Sequence, residues 1–330
     1  MSDTIPAAQL QAADVLLFRG TGWLAKAIRF FDGTDFNHAG LYMGDPSVAE
    51  ALKPGVVRQS LVESLKGRQR VIARRLINPP PTMTPVTAVA ETVLAAGHRY
   101  AFEQLLLLAL LCLTRKLPMT PWLRPLVRKA LDAAAGLLAG ILGQGKEPMI
   151  CSEFVYRCYD QALPEAQDVY ALEINRFPRE GAPPGVRGRA AARAAAPHGR
   201  GVHPDSLLSW RLSAGARGVA FAPRAARRRK APAPPDVAEV EKLAERYLND
   251  LQGVRVRGAA PKVSDEDLIA SIDAFAVAYL RPRARAGRVP AALGPEVAVR
   301  GLMDTVPDFV TPGDLLSSGS LYTVGDLELP

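Results

Sequence analysis

Cysteine, histidine and aromatic residues are all scarce in this chain. Three cysteines, Cys112, Cys151 and Cys158, occur in 330 residues, an odd number with no CxxC pair. That excludes a disulfide framework and a zinc ribbon. Four histidines leave little material for a histidine-rich metal centre, and no metal or other cofactor is expected. The longest apolar run, Leu105 to Leu113 (LLLLALLCL), is about half of the roughly 20 residues a spanning helix requires. It predicts a buried or membrane-facing helix. The start, MSDTIPAAQLQAAD, has neither a basic n-region nor a continuous apolar h-region, so the expectation is a cytoplasmic protein whose mature chain begins there.

Positive charge is plentiful but uneven. Of the net +8, the stretch from Arg176 to Pro232 holds thirteen Lys/Arg against Glu180 and Asp205, which is +11 and leaves the remainder at −3. The tract is rich in Ala, Gly and Pro, and its three aromatics, Phe177, Trp210 and Phe221, are too widely spaced to interleave with the basic residues for base stacking, so it reads as a loop or linker and nucleic acid is not an expected partner.

Hydrophobic residues make up 48% of the chain, enough for one or two ordinary cores. Asp14 to Phe18 (DVLLF) reads as a strand, and GWLAKAIRFFDG, with Thr21 placed as an N-cap, as a helix. His38 to Met43 and Ser47 to Leu52 read as strands joined by a turn at Gly44-Asp45-Pro46, with a further strand near Arg70 to Arg74. Beyond the prolines at 79 to 81 the period becomes helical, over 85–96, 100–113, 122–142 and 149–162. Asp236 to Leu251 and Ser264 to Leu280 also read as helices.

Chemistry enters at Cys151, in the first turn of MICSEFVYRCYDQA. A helix N-terminus places about half a positive charge and unpaired N–H groups beside the sulfur, which predicts a lowered thiol pKa and donors for an oxyanion. Cys158, two turns further along, and Cys112, inside the leucine run, read as packing residues. A nucleophilic thiol needs a base, and the base an orienting group. His38 and Glu50 are each six residues from Gly44 and are expected at one level of a hairpin. His98, His198 and His203 lie in less promising surroundings.

The opening DVLLF, then NHAGLYMGD, VAEAL and, about a hundred residues later, ICSEFVYRCY resemble the circularly permuted papain-like cysteine hydrolases of the NlpC-type superfamily, in the YiiX-like amidase and peptidase branch. The resemblance covers about residues 10 to 165. It implies an α+β fold with a small antiparallel sheet packed on the cysteine-bearing helix, Cys151 as nucleophile, His38 as base and Glu50 as orienting residue. Asp14 matches the aspartate of the glycine-aspartate pair that opens the family's first strand, with Ala13 in place of the glycine. FVTPGDLLSSGSLYTV, at 309 to 324, resembles the segment that closes such domains. The implied organisation is a catalytic domain at 10–165 completed by 305–328, a basic loop or linker at 166–235 and a helical insertion at 236–304. The expected reaction is cleavage of an amide bond of peptide or isopeptide type, on a peptide or acyl substrate. The lecithin-retinol acyltransferase relatives share the permuted order, so a lipid acyltransferase or phospholipase with a peripheral membrane contact is one alternative, and a non-catalytic binding module on the same fold is another.

Overall fold

The computed structural model describes residues 3–52, 55–97, 99–100, 103–141, 147–162, 169–174, 202–216, 237–285, 294–305 and 309–330. The elements are, in order, β1 (Thr4–Ile5), β2 (Val15–Arg19), α1 (Trp23–Asp32), β3 (His38–Tyr42), β4 (Ser47–Leu52), β5 (Gly55–Ser60), α2 (Leu61–Leu65), β6 (Arg70–Leu76) and α3 (Thr84–Ala96). There follow β7 (Arg99–Tyr100), α4 (Glu103–Thr114), α5 (Leu123–Ile141), β8 (Glu147–Pro148) and α6 (Cys151–Asp160). The chain continues through α7 (Leu207–Ala216), α8 (Val237–Leu251), α9 (Asp265–Arg285) and α10 (Pro295–Thr305) to α11 (Pro312–Ser317) and β9 (Leu321–Leu327).

This is an α+β protein whose chain divides into two compact units, 1–104 with 148–201 and 308–330, and 105–147 with 202–307. Helices α4 and α5, read from the sequence as part of the first domain, thus belong with the helices after residue 202. In that second unit α5 packs on α8 and α9, and α9 on α10. Leu105 to Leu113 are buried at every position, so α4 is apolar all round because it is enclosed all round, and the leucine run offers no face to a membrane. No described helix is long and apolar enough to cross one.

The first unit is built on a seven-stranded sheet in the order β1-β9-β6-β2-β3-β4-β5, antiparallel except for β1 against β9. Side chains alternate between two cores. One face carries Leu17, Ala39, Leu41, Ala49, Ala51 and Ile72 against α6 and α3, including Cys151, Phe154 and Cys158. The other carries Leu16, Phe18, Tyr42, Val48 and Val71 against Leu61 and Leu65 of α2.

Several local features differ from the sequence reading. Helix α1 is capped by Gly22, at φ 88°, and not by a Thr21 side chain. Strand β5 and helix α2 follow β4 directly, where the sequence shows only weak alternation; Ser60 caps α2 by accepting from the Glu63 N–H at 3.2 Å. The basic tract includes a helix, α7, because LLSWRLSAGA is a good apolar-rich helix former whose start is fixed by Ser206, which accepts from Ser209 N–H at 3.2 Å. Residues 176–201 and 217–232 of the tract lie outside the described residues.

The C-terminal segment enters the sheet beside β6. Thr311 accepts from Asp314 N–H and the Asp314 carboxylate accepts from Thr311 N–H, a reciprocal cap that starts α11 where the sequence suggests only a turn. Ala13 holds φ at 69°, the conformation glycine adopts without strain. Its neighbour Asp14 is buried and takes two hydrogen bonds from Arg75, each of 2.7 Å.

Candidate active site

Helix α6 starts without a side-chain cap, its N-cap being Ile150 in extended conformation, so its first N–H groups are left for other partners. Cys151 is the first helical residue. Its thiol is fully buried and receives hydrogen bonds from the backbone of Ala39 and of Ser152. The Ala39 contact is explained by the sheet. The β3–β4 ladder pairs Tyr42 with Val48, Leu41 with Ala49 and Gly40 with Glu50, and then stops. One residue beyond its end, the Ala39 N–H goes to sulfur in place of a strand partner. The Ser152 hydroxyl donates to the Val310 carbonyl at 2.6 Å, tying α6 to the C-terminal segment.

His38 precedes Ala39 and stands beside Phe18, its ladder partner on β2; the two ring centroids are 5.2 Å apart. Its Nε2 is 2.5 Å from Glu50 Oε2, and both residues are at most 1% exposed. The register differs from the expected one. Glu50 pairs with Gly40, not with His38, and the carboxylate reaches the imidazole diagonally, over Gly40. The glycine makes this geometry: a Cβ at position 40 would lie 2.8 Å from Val48 Cγ1 and 2.9 Å from Glu50 Cγ.

Glu50 is held from its other side. Gln59 Nε2 donates to Oε1 at 3.0 Å and to Ser64 Oγ at 3.1 Å, while Arg68 Nη2 lies 3.7 Å from Oε2. Arg68 in turn covers the Phe18 ring at 5.0 Å. Burial acts to raise the Glu50 carboxyl, but His38, Ser64 and Arg68 outweigh it and hold it below the usual carboxylate value. Burial also holds His38 below the ordinary histidine value, against the pull of Glu50. Burial pushes the Cys151 thiol up to about 12, and the hydrogen bonds from Ala39 and Ser152 only partly oppose it. The lowering expected from the helix N-terminus is therefore overcome by loss of water. The raised thiol stands at the His38 end of β3, next to an imidazole and a carboxyl that are both held below their ordinary values.

No family model matches the chain. Over 164 residues it is 26% identical to the probable lipoprotein peptidase YaeF of Escherichia coli strain K12, a match covering 48% of this chain and 58% of the relative. The chain thus spans little more than half of that protein. A crystal structure of the metalloprotein YiiX from Escherichia coli O157:H7 matches at a TM-score of 0.30 and 17% identity, over 47% of this chain and 67% of the other.

Among the described residues no group of three or more His, Cys, Asp and Glu side chains is placed to hold a metal ion. Cys112 and Cys158 are both buried, in α4 and in the core beneath α6. His203 accepts at Nδ1 from the Asp205 N–H ahead of α7, and His98 and His198 lie outside the described residues. Three residues of the site escaped the sequence reading. Gly40 and Gln59 act through strand register, which a single sequence does not display. Arg68 follows a glycine in a polar turn and looks like any solvated cation.

Proposed function

We propose that the chain is a cysteine hydrolase that cleaves an amide bond of peptide or isopeptide type, with Cys151 as nucleophile, His38 as base and Glu50 as the group that orients the base. The observation that carries this reading is the convergence at one end of β3. The thiol takes the Ala39 N–H, and the preceding residue is an imidazole locked to a buried carboxylate at 2.5 Å. A buried carboxylate with this much support is difficult to explain as packing, since an ionised group taken from water is retained only where it is paired. Similarity to a protein named as a peptidase supports the same class.

The chemistry follows from the protonation states. Because Glu50 is ionised and accepts, the proton of the neutral ring resides on Nε2, and Nδ1 carries the lone pair. As sulfur attacks the carbonyl carbon, the thiol proton passes to Nδ1, and Glu50 stabilises the imidazolium that forms. N–H groups at the start of α6 receive the negative oxygen of the tetrahedral intermediate. The imidazolium then protonates the leaving amine, and a water deprotonated by His38 releases the acyl group from sulfur. A thiol near 12 favours this concerted transfer over a resting thiolate–imidazolium pair.

The acyltransferase alternative drew on an apolar face at 105–113, and those residues are enclosed. The test is a panel of fluorogenic peptide amides, peptidoglycan-type peptides, thioesters and phospholipids, with Cys151→Ala as the blank. Amide turnover lost in the blank is expected; phospholipid turnover alone would overturn the reading.

A further inference from the structure

Directly before His38, Asn37 is fully buried, and its two amide atoms have different fates. Oδ1 accepts from Gly20 N–H at 2.7 Å, which fixes the orientation of the amide. Nδ2 finds no partner among the described residues. A buried N–H left unpaired is uncommon, because its lost hydration is not replaced.

A second donor stands beside it. Arg68 gives Nε to the Ser64 carbonyl at 3.1 Å and turns Nη2 toward Glu50, which leaves Nη1 on the side of Gly20. A Cβ built on Gly20 would lie 3.3 Å from both amide atoms of Asn37 and 3.6 Å from Arg68 Nη1, so the two donors stand close together over this glycine. Gly20 is itself held in place, its N–H by Asn37 and its carbonyl by Arg29 Nη1 at 2.8 Å. The Arg68 side chain is 19% exposed and Thr21 is exposed, so this corner borders solvent.

Two convergent donors, one cationic, with the nearby acceptor Oδ1 already used, suit an anionic planar acceptor. We propose that Asn37 Nδ2 and Arg68 Nη1 form a substrate subsite for a carboxylate, placed within one side chain's length of the His38–Glu50 pair. As a substrate subsite it rests on the hydrolase reading above. The carboxylate belongs either to an acidic side chain next to the cleaved bond or to a chain terminus.

The test uses the full chain carrying Cys151→Ala, with asparagine side chains labelled by nitrogen-15 and the Asn37 amide assigned by its loss in Asn37→Asp. That substitution keeps an oxygen for Gly20 N–H and replaces the donor with a carboxylate oxygen, which repels the carboxylate probe as well as failing to donate to it. The probes are acetyl-Ala-Glu-amide, acetyl-Ala-Ala with a free carboxylate, and acetyl-Ala-Ala-amide. The proposal expects at least one carboxylate probe, and not the neutral one, to move the Asn37 amide signal. Asn37→Asp and Arg68→Gln should each weaken binding of that probe by about tenfold or more, the loss of a charge-assisted hydrogen bond. Whichever carboxylate probe responds identifies the source. Equal binding of the neutral probe, binding unchanged in Asn37→Asp, or no response to any probe overturns the subsite. Probe binding without amide turnover by the wild-type chain would sink the hydrolase reading and leave the carboxylate site standing.

Discussion

Glu50 stands opposite Gly40 in the β3–β4 ladder, and its carboxylate reaches His38 only because position 40 has no side chain. Sheet register and the geometry of the His38–Glu50 pair therefore depend on the same glycine. Gly40→Ala should destabilise the fold by about 1–3 kcal/mol through overpacking, as read by urea unfolding. Turnover should fall by about tenfold or more, since a small misplacement of the base is enough for that. Unaltered turnover would mean that the diagonal contact is not used.

The pH dependence of turnover should follow His38. Burial holds this imidazole below 6.5, so the active neutral form persists into mild acid and the acid limb of kcat/KM lies below pH 6.5. Glu50 acts to raise the imidazole, so Glu50→Gln should move the limb to still lower pH. It should also reduce kcat by about 10²–10⁴-fold, the range for a lost orienting carboxylate or general base. A limb above 6.5 in the wild-type chain would contradict the assignment.

Stability should fall on both sides of neutrality, for separate reasons. His38 and Glu50 have folded-state values below their ordinary ones, so the unfolded chain binds more protons as pH drops, and stability present above about pH 6.5 is lost below it, further below the ordinary carboxylate range. Cys112 and Cys151 are both pushed up to about 12 from 9.0, so their contribution is full below pH 9.0 and is lost between there and 12. Iodoacetamide should accordingly label neither thiol rapidly at neutral pH in the absence of substrate. Fast labelling of Cys151 at mildly acidic pH would show a resting thiolate and contradict the concerted transfer.

Much of the sheet around the candidate site was legible in the sequence, for identifiable reasons. DVLLF, HAGLYM and SVAEAL carry enough apolar residues and sharp enough turns to reveal β2, β3 and β4, and Cys151 was marked by its place at the head of an amphipathic run. The level of His38 relative to Glu50 was not legible, because counting outward from Gly44 assumes a symmetric turn and the ladder is centred one residue later. The thiol's environment was also hidden: a helix start suggests a lowered value, whereas burial is set by Ala39, Val310 and other residues distant in sequence. The reciprocal cap at Thr311 and Asp314 was visible as turn chemistry, but the strand after it pairs with β6, some 250 positions earlier, and no local pattern records that.

Ala13 offers an independent check on the backbone. Held at φ 69°, it bears a strain of about 1–2 kcal/mol that glycine does not, partly offset by glycine's greater freedom when unfolded. Ala13→Gly should stabilise the chain by roughly 0.5–1 kcal/mol in urea unfolding. Destabilisation would show that residue 13 does not hold this conformation.

The most direct test of the central claim is intact and peptide mass spectrometry after rapid quenching of a reaction with an amide substrate that the wild-type chain turns over. The account predicts an acyl group on Cys151 and on neither Cys112 nor Cys158. It also predicts neither adduct nor turnover in Cys151→Ala, and no acyl accumulation in His38→Ala at neutral pH. Amide turnover that survives in Cys151→Ala, or an acyl group found on another residue, would contradict it.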